Sequence, residues 1–448
     1  ASLSGALLVN NNLSDLASAS AGRTNLGLGT GNSPTFAGLT VAGNVSVDGG
    51  TIKLNGNYPV GTGNVALGDV ALSTLSNGAQ NTAIGNLAGA TTNAAYLTAV
   101  GYQAARYNTG DGNTAIGTNS LITAGGGTNN VAVGKDSLYS NTTASNNTAV
   151  GYQSAYSNTT GGQNTAIGYQ SLLDATTALY NTAVGYQAGS NITTGNANTA
   201  VGRMAFLTNT TGLSNSAIGN EALYSNTTGN KNAALGHYAL YSNTTASYNT
   251  AVGHQSLYDN TTGTGNNALG YQALANNTTA NYNTAFGHVA LSLNVTGTEN
   301  TAVGSQTMYN NTGNNNTAMG GTALYANTSG ANNVAMGVQA LRYNTTASNN
   351  TAVGYQSLYA NTTGTRNNSL GYLSLNTNIT GSDNTAMGYL ALRYNTANTN
   401  TAYGSYALTS NTTASNNTAV GYQAVYSNTT GIANVGLGAY ALQLNTTG

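Results

Sequence analysis

A glycine returns at an almost constant interval through this chain of 448 residues, from Gly68 to Gly438. It marks 23 copies of one short unit. Of the 22 intervals between these glycines, eighteen have the same length as the interval from Gly151 to Gly168, and the other four are one residue shorter. A period of this length, sustained over most of a chain, is typical of a solenoid in which each coil stacks on the one before it. The repeat therefore limits the possible folds more than any other feature of the sequence.

The copies share the pattern N-T-A-V-G-Y-Q-A-L-Y-S-N-T-T-G-x-N, and positions are counted from the repeat glycine, which is position 0. Asn stands at −4 in 22 copies, Ala at −2 in 21 and Asn at +7 in 18. Position −1 is always large and apolar, +3 is always small, and +4 is usually Leu. Two neighbouring copies illustrate these structural columns with Asn147, Ala149, Val150, Gly151 and Asn158, then Asn164, Ala166, Ile167 and Gly168.

A unit of this length is too short for a strand, a full helix and two loops, whereas two short strands and two turns fit. The stretch N-T-A-V-G alternates and contains β-branched residues, so it predicts a strand. The following Y-Q-A-L-Y-S predicts a second strand, with Gln and Leu on one face and the two Tyr and the small residue on the other. A single helical turn at A-L-Y is the alternative. The segment N-T-T-G has the composition of a turn.

Stacked coils place identical residues above one another at about 4.8 Å, so each position becomes a ladder. The two Asn columns predict hydrogen-bonded side-chain ladders. We expect the apolar column at −1 and the Leu column at +4 to form the buried stripe. Twenty-three coils at this rise give a rod of roughly 110 Å.

Each coil supplies few large apolar side chains, so the core of a single chain is predicted to be thin. The small residues at −2 and +3 indicate close backbone approach, between the two sheets of one chain or between neighbouring chains. A parallel homotrimer with the Ala column facing the common axis explains both features. A self-sufficient single-chain β-helix is the alternative.

The composition excludes several classes of function. Lys and Arg number 9, Asp and Glu 10, and the net charge is −1, so we expect no nucleic-acid partner. No apolar run has membrane-spanning length, so we expect no membrane insertion, and Cys is absent. The histidines His237, His254 and His288 all follow a repeat glycine and indicate a surface column, with no third ligand beside the first two. We predict no catalytic residues, no cofactor, no metal site and no enzymatic activity.

Two columns of tyrosines suggest a recognition surface. Tyr recurs at +1 and at +5, and on the strand interpretation both columns lie on one face, where exposed rings could stack on host glycans. The alternative is that stacked Tyr rings only stabilise the sheet. The candidate glycan-facing residues are Tyr152, Tyr156, Tyr169, Tyr186, Tyr355, Tyr359, Tyr422 and Tyr426. The N-T-T segments also match the N-x-T glycosylation sequon, although the same letters suit a turn.

The segment before Asn64 departs from the repeat. A short helix is predicted after Asn12, ending at Gly22, and the alternation from Ser33 to Gly49 predicts strands joined by glycine turns. Both segments, L-S-D-L…G-R-T-N-L-G-L-G and S-P-T-F-A-G-L-T-V, resemble connector motifs of bacteriophage tail fibres. The repeats resemble the N-S-V-A-I-G units in the heads of trimeric autotransporter adhesins, which are parallel β-rolls. We therefore divide the chain into a fibre connector at residues 1–63 and a β-solenoid shaft at residues 64–448.

This resemblance implies a trimeric tail-fibre shaft on a virion, which extends a host-recognition tip, takes part in host attachment and meets other fibre subunits at its ends. A cell-surface adhesin or extracellular filament that binds glycans through its Tyr and Asn ladders is one alternative. An ice-binding solenoid that uses its Thr columns is another, although the Thr residues are expected mainly in turns.

Overall fold

The computed structural model describes residues 62–123 and 125–447, and these belong to one compact unit, Asn55–Gly448. The helix and strands predicted before residue 50 lie outside the described residues. Each coil contributes one short strand, at positions −3 to −1. The strands, β1 to β23, are Val65–Leu67, Thr82–Ile84, Thr98–Val100, Thr114–Ile116, Val131–Val133, Thr148–Val150, Thr165–Ile167, Thr182–Val184, Thr199–Val201, Ser216–Ile218, Ala233–Leu235, Thr250–Val252, Asn267–Leu269, Thr284–Phe286, Thr301–Val303, Thr317–Met319, Val334–Met336, Thr351–Val353, Asn368–Leu370, Thr385–Met387, Thr401–Tyr403, Thr418–Val420 and Val435–Leu437.

Every strand pairs in parallel with the strand of the next coil, without a shift in register. Ala149 of β6 is opposite Ala166 of β7, and Val150 is opposite Ile167. The described residues form no helix, and none of their segments is a candidate for a membrane-spanning helix. The predicted all-β parallel solenoid of about 23 coils with a 17-residue period is therefore confirmed.

The second predicted strand is wrong, and the helical turn does not form either. After the repeat glycine the backbone turns, and every other residue is left-handed, as at Gln153 (φ 52°) and Ala155 (φ 48°). The Gln153 N–H donates to Lys135 O of the preceding coil at 3.0 Å, while the Ala155 N–H donates to Ser171 O of the following coil at 2.9 Å. The turning segment is thus bonded to both neighbouring coils, which satisfies its backbone without a second strand.

The interior of the rod lies inside each single chain. The middle residue of the strand points inward, so Ala149 and Ala166 are fully buried, together with the small residue and the Leu of the turning segment, such as Ser171 and Leu172. The predicted placement of the Ala column at an axis between chains is therefore wrong. Small side chains are needed because both walls of one narrow coil meet there.

The apolar column at −1 points outward, which also corrects the prediction of a buried stripe. Successive strand residues face opposite sides of a sheet, so an inward residue at −2 places −3 and −1 outside. In none of the strands β1 to β23 is the residue at −1 buried, and Ile167 is 39% exposed. Only the Leu column of the two predicted apolar columns belongs to the core.

Both Asn columns form the predicted ladders, and they lie inside the coil. Asn147 Oδ1 accepts the backbone N–H of Asn164 at 2.9 Å, and Asn164 Nδ2 donates to Ala178 O at 2.7 Å. At +7, Asn158 Nδ2 donates to Gly161 O at 2.9 Å and to Asn141 Oδ1 at 3.4 Å. These bonds compensate for burying the amides and close the turn around the core.

The short coils differ from the others in the N-T-T-G turn. In the coil after Gly101 one turn residue is missing, and Asn108 Nδ2 bonds Gly110 O two residues later at 2.9 Å instead of three residues later. The strands on either side keep their register, with Val100 opposite Ile116. The deletion is therefore absorbed in the turn and leaves the sheet unchanged.

Candidate functional surfaces

The first candidate surface is the Tyr–Gln face, formed by the side chains at +1, +2 and +5. At +1 the rings of Tyr152, Tyr169 and Tyr186 stack with centroids 5.3 and 5.1 Å apart and interplanar angles of 23° and 6°. At +5 the rings of Tyr139 and Tyr156 stack at 4.9 Å. The ring spacing is close to the coil spacing, so the ladders follow directly from the register of the repeat.

A ladder of glutamines runs between the two columns of tyrosines. Gln170 Nε2 donates to Gln153 Oε1 and Gln187 Nε2 donates to Gln170 Oε1, both at 3.0 Å. Where Tyr406 takes the place of this Gln, its ring meets Tyr422 of one column and Tyr426 of the other. The two Tyr columns therefore flank one strip of the surface. The glutamines were not among the candidate residues, although their recurrence at +2 was a signal of this ladder.

The predicted glycan-facing tyrosines do not offer free ring faces within the ladders. Tyr355 stacks on Tyr372 at 5.4 Å, and Tyr359 meets Tyr343 edge-on at 4.9 Å. A spacing this close to that of the coils leaves no slot for a sugar between two stacked rings. What these ladders present to solvent is a row of ring edges and hydroxyl groups.

Two tyrosines of the +5 column have raised pKa values. Partial burial raises the pKa of Tyr156, and the neighbouring Tyr139 and the charge of Asp136 raise it further. Burial also raises the pKa of Tyr241, with Glu221 adding to the effect. The Tyr–Gln face presents hydroxyl and amide groups that recur in most coils.

The second candidate surface is the Thr–apolar face, the outer side of the sheet. It consists of the residues at −3, most often Thr, and the large apolar residues at −1, and none of these residues is charged. It runs without interruption over all 23 strands. Its −1 column is a continuous line of exposed or half-buried apolar side chains, a feature that is uncommon on a soluble monomer.

The Asn residues of the N-x-T sequons are structural. Asn141, Asn158, Asn243, Asn361 and Asn411 are all buried, and each donates an Nδ2 hydrogen bond inside the coil. A buried, hydrogen-bonded amide cannot be reached by a glycosylating enzyme without unfolding the turn. The sequon letters at these positions therefore reflect turn chemistry.

The histidines occupy the surface column predicted for them. The ring centroids of His237 and His254 are 5.1 Å apart, and His254 and His288 both stack on Tyr271. Among residues 62–123 and 125–447 no group of three or more His, Asp or Glu is placed to hold a metal ion.

The charged residues are scattered along the rod and pair where neighbouring coils allow. Arg366 and Asp383, one coil apart, form two hydrogen bonds of 2.6 and 2.9 Å, and the guanidinium lowers the pKa of the Asp383 carboxyl. Both side chains are well exposed, so the pair contributes little to stability. These pairs contain no arrangement that indicates catalysis.

Comparison with known proteins adds no relative from which a function could be transferred. No protein-family model, no curated protein and no solved structure matches this chain.

Proposed function

We propose that this chain is the shaft of a trimeric bacteriophage tail fibre. As a spacer on the virion, it would hold a host-recognition tip away from the particle and take part in attachment. The observation that carries the proposal is the Thr–apolar face, an uncharged apolar strip that runs the length of the solenoid. A second copy of the same chain is the occupant that matches this strip in length and lack of charge.

The size of the strip supports self-association. Three residues at about 3.3 Å each make it roughly 10 Å wide, and 23 coils at about 4.8 Å make it roughly 110 Å long. It therefore offers on the order of 1,100 Å² per chain, against about 800 Å² per partner in a typical stable complex. Three chains, rather than two, follow from the resemblance of the repeats to trimeric adhesin heads.

The virion assignment rests on the resemblance of the segment from Asn11 to Gly49 to tail-fibre connectors. The shaft agrees with it, because a stack of hydrogen-bonded coils resists bending and a surface with few charges suits an extracellular spacer. Other fibre subunits would bind at the two ends of the rod, and host glycans would be secondary partners.

Light scattering combined with negative-stain imaging tests this proposal. The expected result is a mass of three chains on a rod of roughly 110 Å. The double variant Ile167→Asp with Val184→Asp places charges on the Thr–apolar face and should weaken the assembly. The matched control, Gln170→Glu with Gln187→Glu, places the same charges on the Tyr–Gln face and should leave the trimer intact. A monomeric wild-type protein would refute the proposal.

A glycan-binding adhesin or filament is the second candidate function. Its support is the regular row of Tyr hydroxyls and Gln amides, such as Tyr169 and Gln170, which could hydrogen-bond a polysaccharide lying along the rod. Saturable binding of cell-surface polysaccharide that is lost in Tyr169→Phe with Tyr186→Phe would support it. These variants keep the stacking and remove only the hydroxyls.

Ice binding is the third candidate, and the strand threonines favour it. Fifteen strands carry Thr at −3, so Thr residues lie on the sheet and not only in the turns. The neighbouring column is uneven, because it contains Phe286, Met319 and Tyr403 among the smaller Val residues. Thermal hysteresis shown by a monomeric protein would support this function and would contradict the trimeric shaft.

A further inference from the structure

A self-associating face built from identical coils has a register problem. If every coil were the same, two chains could slide by one coil, about 4.8 Å, and exchange each contact for an equivalent one. A defined fibre needs departures from the repeat that make the slipped arrangements worse. The register of the proposed assembly must therefore be specified by the irregular positions of the Thr–apolar face.

One such irregularity lies at β13 and β14. Phe286 is the only Phe in the column at −1, where Val is the commonest residue, and its side chain is 52% exposed. Beside it, Asn267 stands where most strands have Thr. A large exposed ring and a changed neighbour thus occur at the same level of the rod.

This level also contains a hollow in the sheet surface. Its volume is about 180 Å³, and it is lined by Thr250, Asn267, Leu269, Thr284, Phe286 and the two intervening alanines. A volume of about 150 Å³ with an apolar lining is enough to hold a benzene ring. The hollow is therefore of the size that a phenyl side chain fills.

We propose that Phe286 and this hollow set the axial register between copies of the chain. In a parallel, in-register assembly all Phe286 rings lie at one level, so each ring can enter the hollow beside Phe286 of a neighbouring chain. A slip by one coil takes the ring away from this hollow and leaves the hollow unfilled. The inference rests on the proposed self-association through the Thr–apolar face.

The absence of cysteine from the sequence makes a clean cross-linking test possible. Thr182 and Ser216 both lie on the Thr–apolar face, two coils apart, and both are exposed. A tagged full-length chain carrying Thr182→Cys is co-folded with an untagged one carrying Ser216→Cys. Two coils span about 9.6 Å along the rod. When the chains are in register, the Cα atoms of the two cysteines in a mixed pair are therefore farther apart than in an ordinary disulfide, so the mixed disulfide forms only after a slip.

We expect same-position disulfides to exceed mixed disulfides about tenfold in the otherwise wild-type chain, because a slip leaves one aromatic ring per chain unburied. Adding Phe286→Val, which installs the commonest residue of the column, should bring the two products toward equal amounts. The matched control is Met319→Val, which trims another large residue of the same column away from the hollow and should keep the wild-type ratio.

The outcomes separate the two proposals. If Phe286→Val keeps the wild-type ratio, or shifts it no more than Met319→Val does, the register role is refuted while self-association stands. If wild-type chains are monomeric and form neither disulfide, the shaft proposal itself fails and the register role with it.

Discussion

Replacing a repeat glycine by alanine should be among the most damaging small changes to this rod. At Gly185 φ is +139°, and a Cβ would lie 2.5 Å from Gly202 O and 2.7 Å from Gly202 C of the next coil. The backbone conformation alone costs an L residue about 1–3 kcal/mol. Moving the coils apart to clear the Cβ would also weaken the bonds from Gly202 N to Val184 O, at 2.9 Å, and from Met204 N to Tyr186 O, at 2.8 Å.

Each of these hydrogen bonds contributes about 1 kcal/mol, so Gly185→Ala should lower the free energy of unfolding by about 3–5 kcal/mol in total. The matched control is Gly321→Ala, because a Cβ at Gly321 meets nothing within 4 Å. Its effect should stay within about 0.5 kcal/mol.

Urea denaturation followed by circular dichroism measures the stability of both variants. Hydrogen exchange then locates the effect. Each coil of a solenoid is stabilised by its contacts with the neighbouring coils, so protection of the backbone amides should be lost first around Gly185. Equal denaturation midpoints for Gly185→Ala and Gly321→Ala would refute the reasoning, since the two glycines would then differ in geometry without differing in energy.

Four further predictions concern the interior and the titratable groups. Asn226→Ala should lower the free energy of unfolding by about 2–4 kcal/mol in chemical denaturation, because it leaves buried hydrogen-bonding groups of the +7 ladder without partners; a change below about 0.5 kcal/mol would contradict the ladder's role. Ala166→Leu should destabilise the single chain itself by at least about 1–3 kcal/mol, since Ala166 is fully buried within its own coil; loss of assembly with unchanged chain stability would return the Ala column to an interface. Burial raises the pKa of Asp259, so its stabilising contribution is present at low pH and is lost as the pH rises through the folded-state pKa; Asp259→Asn should therefore raise the melting temperature near neutral pH and leave it unchanged in acid. Asp383→Asn should instead lower the melting temperature near neutral pH, because Arg366 lowers the pKa of that carboxyl. The decrease should be small because the pair is exposed.

The period, the parallel stacking and the Asn ladders could be predicted from the sequence because each depends on recurrence alone. The outward direction of the apolar column could have been predicted as well. Ala166 at −2 and Ile167 at −1 are neighbours in one strand, so only one of them can face the core. The column that tolerates no large residue is the inner one. The prediction that both Ile167 and Leu172 are buried relied on their apolar side chains and overlooked that side chains alternate between the two faces of a strand.

The left-handed residues of the turning segment could not be predicted. Gln153 and Leu172 both have positive φ, yet neither residue type favours that region. The conformation is imposed by the stack, because Gln153 bonds the coil before it and Leu172 bonds Ala188 of the coil after it. The local sequence does not indicate a backbone conformation that the neighbouring coils impose. The sequence indicated the Tyr columns and offered stacking of their rings as one of two interpretations, and the structure shows stacked rings.

The scarcity of charge follows from the same stacking. A side chain repeated in every coil meets its own copies about 5 Å away, so a charged column would repel itself along the whole rod. Asn, Gln and Tyr avoid this cost because an amide both donates and accepts, as between Gln187 and Gln170, and a neutral ring stacks on its equal. Charge is tolerated where opposite signs occupy neighbouring coils, as in Arg366 and Asp383. The columns must therefore be filled with residues that form favourable contacts with identical residues. A face whose residues pack on identical residues within one chain is also well suited to pack on the same face of another copy.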